Sequence, residues 1–149
     1  MKRIILVLFI IVCSFAQAQE IKWMTMDEAL AAQKKDPKPI FMDVYTDWCG
    51  PCKMLDKITF HDKGIVEMIS KAYYAVKFNA EGDSEITYKG VTYANPAFIK
   101  DHKGKNSQHD FAKFLKIDSY PKICIFTPEG ELINSITGYR SPKELIKNL

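Results

Sequence analysis

The sequence lacks several features that would mark a specialised class of protein. It has only four cysteines among 149 residues, too few for a miniprotein held together by disulfides. Its net charge is only +3, and it has no long basic stripe of the kind that neutralises the phosphates of a nucleic acid. It has no internal repeat, low-complexity tract or long flexible linker. The composition, 47% hydrophobic and 26% charged, is that of one soluble globular domain.

The one long apolar run lies at the start of the chain, and residues 1–18 have the pattern of a secretory signal. Lys2 and Arg3 precede an unbroken apolar run from Ile4 to Cys13. Ala16-Gln17-Ala18 then has the small-x-small pattern of a cleavage site. The sequence therefore predicts a signal peptide.

Cleavage after Ala18 would leave a mature domain of residues 19–149, with 19 basic and 18 acidic side chains. We predict a periplasmic or secreted protein, in a compartment where disulfides form and persist. A membrane anchor is one alternative, but a spanning helix needs about 20 apolar residues, and Ser14 and Gln17 interrupt the run earlier. We therefore expect no stable anchor. Lipidation of Cys13 is a second alternative.

Helix and strand signals alternate along the mature chain. Capping boxes at Thr25 to Glu28 and at Ser141 to Glu144 predict a helix at each end of the domain. Ile86 to Tyr93 is typical of two short β-segments around a Lys-Gly turn. The other predicted elements are strands at Pro39 to Thr46, Tyr73 to Asn79, Lys122 to Thr127 and Glu131 to Thr137, and helices after Trp48 and from Ser107 to Lys116. This order predicts an α/β sandwich around a mixed sheet.

The strongest local signal is Trp48-Cys49-Gly50-Pro51-Cys52-Lys53, where a buried strand gives way to a helix. Two cysteines separated by two residues at a helix start can close a small disulfide ring. The unpaired N–H groups and the dipole of the helix stabilise a thiolate there. We expect Cys49, nearer solvent, to be the nucleophile and Cys52, one helical turn inside, to be the resolving thiol.

Three other uses of such a cysteine pair fit the sequence less well. A zinc site needs two further ligands, and only Cys124 and the scattered His61, His102 and His109 remain. A site for c-type haem attachment would have a histidine in place of Lys53. A purely structural disulfide would gain little stability from so small a ring. The pattern favours redox chemistry, with no metal and no organic cofactor implied.

The segment Asp43 to Lys53 closely resembles the active-site segment of thioredoxins. Met54 to Met68, with Thr59-Phe60 before a polar turn, is more similar to secreted thioredoxin-like domains, including the C-terminal domain of the thiol:disulfide interchange membrane reductases. The resemblance covers roughly Pro37 to Asn79 and His109 to Leu149. It implies a thioredoxin fold, in which helices flank a central mixed β-sheet.

The resemblance also implies roles for residues outside the cysteine pair. Tyr120-Pro121 matches the cis-proline that offers backbone groups to an extended substrate segment, and Gly138 matches a glycine that leaves room for a partner chain. Asp43 matches a buried acid that exchanges a proton with Cys52, and Lys77 matches the lysine beside that acid. The predicted site comprises Cys49, Cys52, Asp43 and Lys77 for catalysis, and Trp48, Gly50, Pro51, Tyr120, Pro121 and Gly138 for substrate binding.

The chain departs from the family pattern in two places. Residues 82–108, before the helix that precedes the cis-proline, are predicted to be a hairpin-like insertion. Tyr88 and Tyr93 either pack this insertion or line a groove for a partner. Tyr120 stands where thioredoxins have an aliphatic residue, and it resembles the protein disulfide isomerases at that position. Cys124 is expected to be a buried core thiol.

These patterns lead to one functional hypothesis and two alternatives. The Gly50-Pro51 spacer is that of reducing thioredoxins, and we predict an exported thiol-disulfide oxidoreductase that reduces disulfides of client proteins. The resemblance implies a membrane electron donor of the thiol:disulfide interchange type. One alternative is a disulfide isomerase or oxidase, which Tyr120 suggests. The other is a non-catalytic envelope binding module that uses residues 82–108 as its contact surface.

Overall fold

The computed structural model describes residues 19–149, so the predicted signal peptide, residues 1–18, lies outside the described residues. The helices are α1 (Met26–Gln33), α2 (Gly50–Met54), α3 (Lys63–Ala72), α4 (Asp110–Phe114) and α5 (Pro142–Asn148), and a π-helical turn, Leu55–Thr59, continues α2. The strands are β1 (Ile40–Tyr45), β2 (Tyr74–Asn79), β3 (Ile86–Tyr88), β4 (Val91–Tyr93), β5 (Lys122–Phe126) and β6 (Leu132–Thr137). In this part of the chain no helix is long and apolar enough to cross a bilayer.

Four strands form one mixed sheet in the order β2-β1-β5-β6. Strand β1 pairs in parallel with β2 and antiparallel with β5, and β5 pairs antiparallel with β6. Asp43 of β1 lies opposite Lys77 of β2, so their side chains project from the same face of the sheet. The predicted mixed sheet is confirmed.

Two hydrophobic cores lie on opposite faces of this sheet. One contains Met42 and Val44 of β1 and is covered by α1, by α4 and by the β3-β4 hairpin. The other contains Phe41 and is covered by the π-helical turn, α3 and α5. Because side chains alternate along a strand, Asp43 projects toward the same face as Phe41. This alternation places the carboxyl group of Asp43 beside Lys77 on a face that is otherwise largely apolar.

The predicted hairpin is present. Lys89 and Gly90 join its strands with φ values of 51° and 78°, and two consecutive positive φ values are typical of a type I′ turn. The ring centroids of Tyr88 and Tyr93 lie 5.5 and 5.3 Å from that of Phe111 in α4. The Tyr88 hydroxyl donates to the Gly130 carbonyl at 2.7 Å. Both tyrosines therefore pack the hairpin onto the domain.

The predicted helix from Ser107 to Lys116 was wrong at both ends. The N-cap of α4 is His109, whose Nδ1 accepts from the N–H of Phe111 at 3.0 Å. The Ser107 hydroxyl instead donates to Oδ1 of Asn95 at 2.7 Å. Lys116 lies beyond the helix, with a φ of 55°. The cap was assigned to the wrong residue because the hydroxyl of Ser107 is engaged by a distant side chain.

Phe111→Ala is expected to lower the free energy of unfolding by about 3 to 5 kcal/mol, because it empties a fully buried aromatic position. Phe114→Ala, on the same helix, is the matched control. Phe114 is 49% exposed, so its truncation is expected to cost less than half as much. Urea unfolding followed by circular dichroism measures both. Equal losses would contradict the central place of Phe111 in the core.

Candidate active site

The cysteine pair lies where the central strand β1 leads into α2. Cys49 is the N-cap of α2, and the backbone N–H of Cys52 donates to Cys49 Sγ at 3.2 Å. The two sulfurs form a disulfide, with the Cα atoms 5.3 Å apart. Pro51 occupies the first turn, where the missing N–H of proline would have no partner within the helix. The start of α2 thus presents an N–H group to the sulfur of Cys49.

Both cysteines are buried in the disulfide form. Cys49 is 2% and Cys52 4% exposed, so the expectation that Cys49 lies nearer solvent is wrong for this state. A client protein must therefore contact the residues that surround Cys49 in order to reach its sulfur.

Asp43 and Lys77 form an ion pair below the disulfide-bearing turn. Lys77 Nζ lies 2.7 Å from Asp43 Oδ2, as the pairing of β1 with β2 requires. Asp43 is fully buried, and its Oδ1 has no hydrogen-bond partner among residues 19–149. Burial raises the pKa of Asp43 to about 6, although the Lys77 ammonium opposes the rise. A carboxyl group with such a pKa exchanges protons readily near neutral pH.

Asp56 is a third charged member of this cluster and was not among the predicted site residues. Its Oδ1 lies 2.6 Å from Lys77 Nζ. Burial lowers the pKa of Lys77, but the carboxylates of Asp43 and Asp56 outweigh that effect and leave the pKa raised. Asp56 follows Cys52 by four residues, and residues at that spacing share a helix face. The four-residue spacing could therefore have indicated that Asp56 lies near the cysteine pair.

Aromatic rings and a cleft surround the Lys77 ammonium. Its Nζ lies 5.0 Å from the ring centroids of Trp23 and Tyr45 and 5.4 Å from that of Phe60, within the range of cation–π attraction. A cleft of about 210 Å³ beside it has Cys52 and Lys77 in its wall. The charged cluster and the second cysteine therefore border the same space.

Trp48 is held on the surface next to Cys49. Its indole Nε1–H donates to Glu81 Oε2 at 2.8 Å, and its ring meets the edge of Tyr120 with centroids 6.0 Å apart. Glu81, which follows the end of β2, was also not among the predicted site residues. The carboxyl ends of parallel strands meet at one edge of a sheet. The predicted strands β1 and β2 could therefore have indicated that Glu81 lies near Trp48.

The other predicted substrate-binding residues lie around the Tyr120–Pro121 bond, which is cis, and at the start of α2. The Gly138 N–H donates to the Pro121 carbonyl at 2.8 Å. Gly138 has a φ of 81°, and an added Cβ would meet its nearest atom only at 3.7 Å. Glycine is therefore favoured at this position by the positive φ and not by a steric contact within the chain. An added Cβ on Gly50 would meet nothing within 4 Å. Roles in substrate binding stay predictions for these residues.

Cys124 is a free cysteine and is fully buried in β5. Burial raises the pKa of its thiol to about 12, and a thiol is a poor nucleophile while it stays protonated. The predicted buried core thiol is confirmed.

A mixed sheet of this order, with a Cys49–Cys52 disulfide at the start of the helix that follows β1, is that of a thioredoxin-like thiol-disulfide oxidoreductase. The family model described as "Thioredoxin-like domain" matches residues 26–149, and the chain belongs to that family. The predicted thioredoxin fold and enzyme class are thereby confirmed.

Individual relatives agree with this assignment. The thiol:disulfide interchange protein DsbD of Pectobacterium atrosepticum is 26% identical over 121 residues, which cover 80% of this chain and 17% of that protein. This chain spans between 8 and 17% of the length of the DsbD proteins that it matches. The homology therefore concerns one part of DsbD.

Two solved structures are also similar. The solution structure of a Bacteroides thetaiotaomicron protein proposed to be a disulphide-isomerase has a TM-score of 0.60 and 25% identity, covering 89% of this chain and 93% of that one. A thioredoxin from Thermus thermophilus has a TM-score of 0.63 at 13% identity, covering 86% of this chain and 83% of that one. At that identity the second likeness supports the fold alone.

Asp43→Asn is expected to stabilise the protein at neutral pH. Because the pKa of Asp43 rises from 3.8 to about 6 on folding, the native state binds more protons between these values, and stability falls as pH rises through that window. Asparagine removes this cost, a gain on the order of 3 kcal/mol above pH ~6 that disappears below pH ~4. Unfolding at pH 8 and pH 3.5 measures it.

Asp47→Asn is the matched control, since Asp47 lies just beyond the same strand and is exposed. We expect no comparable gain from it at pH 8. A loss of stability in Asp43→Asn at pH 8 would show that the ion pair with Lys77 outweighs the burial of the carboxylate.

Proposed function

We propose that the protein is an exported reductase of protein disulfides that cycles between a Cys49–Cys52 disulfide and the dithiol. The observation that carries the proposal is the position of the pair at the start of α2, with the Cys52 N–H 3.2 Å from Cys49 Sγ. A donor aimed at this sulfur favours its thiolate over its thiol. The thiolate is the species that attacks a disulfide.

In the first step, the Cys49 thiolate attacks one sulfur of a client disulfide. A mixed disulfide forms between Cys49 and the client, and the other client sulfur leaves as a thiolate. In the second step, the thiolate of Cys52 attacks Cys49 Sγ and releases the client. The client is reduced, and the enzyme returns to the disulfide seen here.

Asp43 is the proposed base for the second step. With a pKa of about 6, its carboxylate is mostly ionised at neutral pH and able to take the proton of the Cys52 thiol. Lys77 stabilises the ionised carboxylate from 2.7 Å, and Asp56 shares the same ammonium from 2.6 Å. The cleft that borders Cys52 and Lys77 provides a route by which solvent can receive the proton.

The client segment is proposed to lie along Trp48, Tyr120 and Pro121. The backbone N–H and carbonyl of Tyr120 take part in no backbone hydrogen bond within residues 19–149, so they remain available to an extended segment in the manner of an added strand. Gly138, bonded to the Pro121 carbonyl, borders this position. Gly50 and Pro51 are exposed at the rim.

The reducing direction rests on the spacer and on homology. Reducing thioredoxins have potentials near about −270 mV, whereas the strong oxidant DsbA lies near about −120 mV, and the Gly50-Pro51 spacer resembles the former. The homology with thiol:disulfide interchange proteins supports disulfide exchange with protein partners. The membrane electron donor is proposed from the family resemblance of the sequence. Export rests on the signal pattern of residues 1–18.

Disulfide isomerisation is the second candidate. Tyr120 beside Pro121 favours it, and so does the similar Bacteroides thetaiotaomicron structure, proposed to be a disulphide-isomerase. An isomerase must release and re-attack its client many times. Recovery of activity from scrambled ribonuclease separates the two, because a pure reductase is not expected to restore the native pairing efficiently.

The redox midpoint distinguishes a reductase from an oxidant. We expect the Cys49–Cys52 pair to equilibrate near about −270 mV in defined thiol-disulfide buffers, with the fraction oxidised read by alkylation and mass. Cys124→Ala serves as the matched control and should leave the midpoint unchanged, because this thiol is buried and stays protonated. A midpoint near about −120 mV would contradict the assignment as a reductase.

Cys52→Ala is expected to accumulate mixed disulfides with client proteins, because the second step cannot occur without the resolving thiol. Non-reducing gels of cells that express the variant should show reducible adducts. The double variant Cys49→Ala/Cys52→Ala should show none. If Cys52→Ala forms no adducts, the proposed protein clients are wrong.

A cellular phenotype that survives Cys49→Ser but not loss of residues 82–108 would support the binding-module alternative instead.

A further inference from the structure

The loop from Asn95 to Ser107, hereafter the 95–107 loop, is closed by its own side chains. The amide of Asn95 donates to the carbonyls of Gly82 and Ser107 at 3.0 and 2.8 Å. The amide of Asn106 accepts from the Ile99 N–H at 3.0 Å and donates to the Ile99 carbonyl at 2.8 Å. These bonds hold a segment without helix or strand in one conformation.

The 95–107 loop holds Trp48 directly through Lys105 and indirectly through Glu81. Glu81 Oε2 accepts from the Trp48 indole and also from the backbone N–H of Asn106, both at 2.8 Å. The ammonium of Lys105 lies 4.8 Å from the centroid of the Trp48 ring, a cation–π distance. The residue that precedes Cys49 is therefore positioned by Glu81 and by two residues of a loop that is distant in the chain, Lys105 and Asn106.

Trp48 and residues of this loop together line a cleft of about 310 Å³. Phe98 and Ile99 contribute apolar surface to its wall, and Ile99 is 59% exposed. Trp48 belongs both to this cleft and to the pair of rings that it forms with Tyr120. The cleft thus borders Trp48, the residue next to Cys49.

We propose that the 95–107 loop determines client specificity: Lys105 and Asn106 position Trp48, and the cleft holds the polypeptide segment next to the client's disulfide. This inference rests on the proposed reduction of protein disulfides. A polypeptide must cross the surface around Cys49 to present its sulfurs, so it meets Trp48 and the loop. A small disulfide presents its sulfurs without that contact. The loop therefore acts on protein clients and not on the exchange chemistry.

Lys105→Met tests the inference, because it removes the ammonium and keeps a side chain of similar length. A cation–π contact of about 0.5 to 1 kcal/mol corresponds to a two- to fivefold rise in KM for insulin disulfides, with kcat unchanged. The rate with a small aromatic disulfide should also be unchanged. Lys105→Arg should restore KM. Lys103→Met, on the same loop, is the matched control and should behave as wild type.

A second variant and a direct readout complete the test. Asn106→Ala removes both bonds to Ile99, and we expect KM for insulin to rise by about tenfold as the loop loosens. The indole N–H resonance of Trp48 should move in Lys105→Met and in Asn106→Ala, but not in Lys103→Met.

Each result decides between clear alternatives. If the wild-type enzyme reduces the small disulfide but not insulin, the proposed function and the inference both fail. If the wild-type enzyme reduces both, and Lys105→Met and Asn106→Ala leave KM for insulin unchanged or alter both substrates equally, the inference fails and the proposed function stands. A selective rise in KM for insulin that Lys105→Arg reverses supports the inference.

Discussion

The parallel pairing of β1 with β2 is the constraint on which the site depends. Its register places Asp43 opposite Lys77 and so brings a carboxylate and an ammonium together on an otherwise apolar face. The same pairing ends both strands at one edge of the sheet. The turn after β1 carries Trp48 and Cys49, and the turn after β2 carries Glu81. A shift of one residue in this register would turn Lys77 to the opposite face and remove the ion pair.

The cluster below the disulfide exchanges stability for proton chemistry. A buried carboxylate costs folding energy unless it is fully paired, and Oδ1 of Asp43 has no partner among the described residues. Lys77 offsets part of that cost and is itself shared with Asp56. The result is an Asp43 carboxyl group with a pKa of about 6. An apolar residue of the same size could not exchange a proton. A group that is unfavourable for the fold is thus suited to moving a proton.

The surface around Cys49 has two parts. One part comprises Trp48 and the Tyr120–Pro121 bond beside it. The other is the 95–107 loop, which contacts Trp48 directly through Lys105 and indirectly through the N–H of Asn106, which shares the Glu81 carboxylate with the Trp48 indole. The hairpin beside this loop is packed on the core by Tyr88 and Tyr93. The loop therefore follows a hairpin that is anchored in the core.

The sequence by itself determined the features that depend on near neighbours. The capping box at Thr25, the Lys89-Gly90 turn and the cysteine pair at the start of α2 all arise from contacts within a few residues. With the family resemblance, these patterns were enough to predict the mixed sheet, the thioredoxin fold and the residues of the redox pair.

Only the tertiary structure decided the features that join distant segments. Ser107 does not cap a helix because Asn95 binds its hydroxyl, and Lys105 lies over Trp48 because side chains close the 95–107 loop. Asp56 meets Lys77 because the register of β1 and β2 brings the ammonium below the turn that carries the disulfide. Such contacts depend on how segments far apart in the chain are packed, and local patterns in the sequence carry no record of that packing.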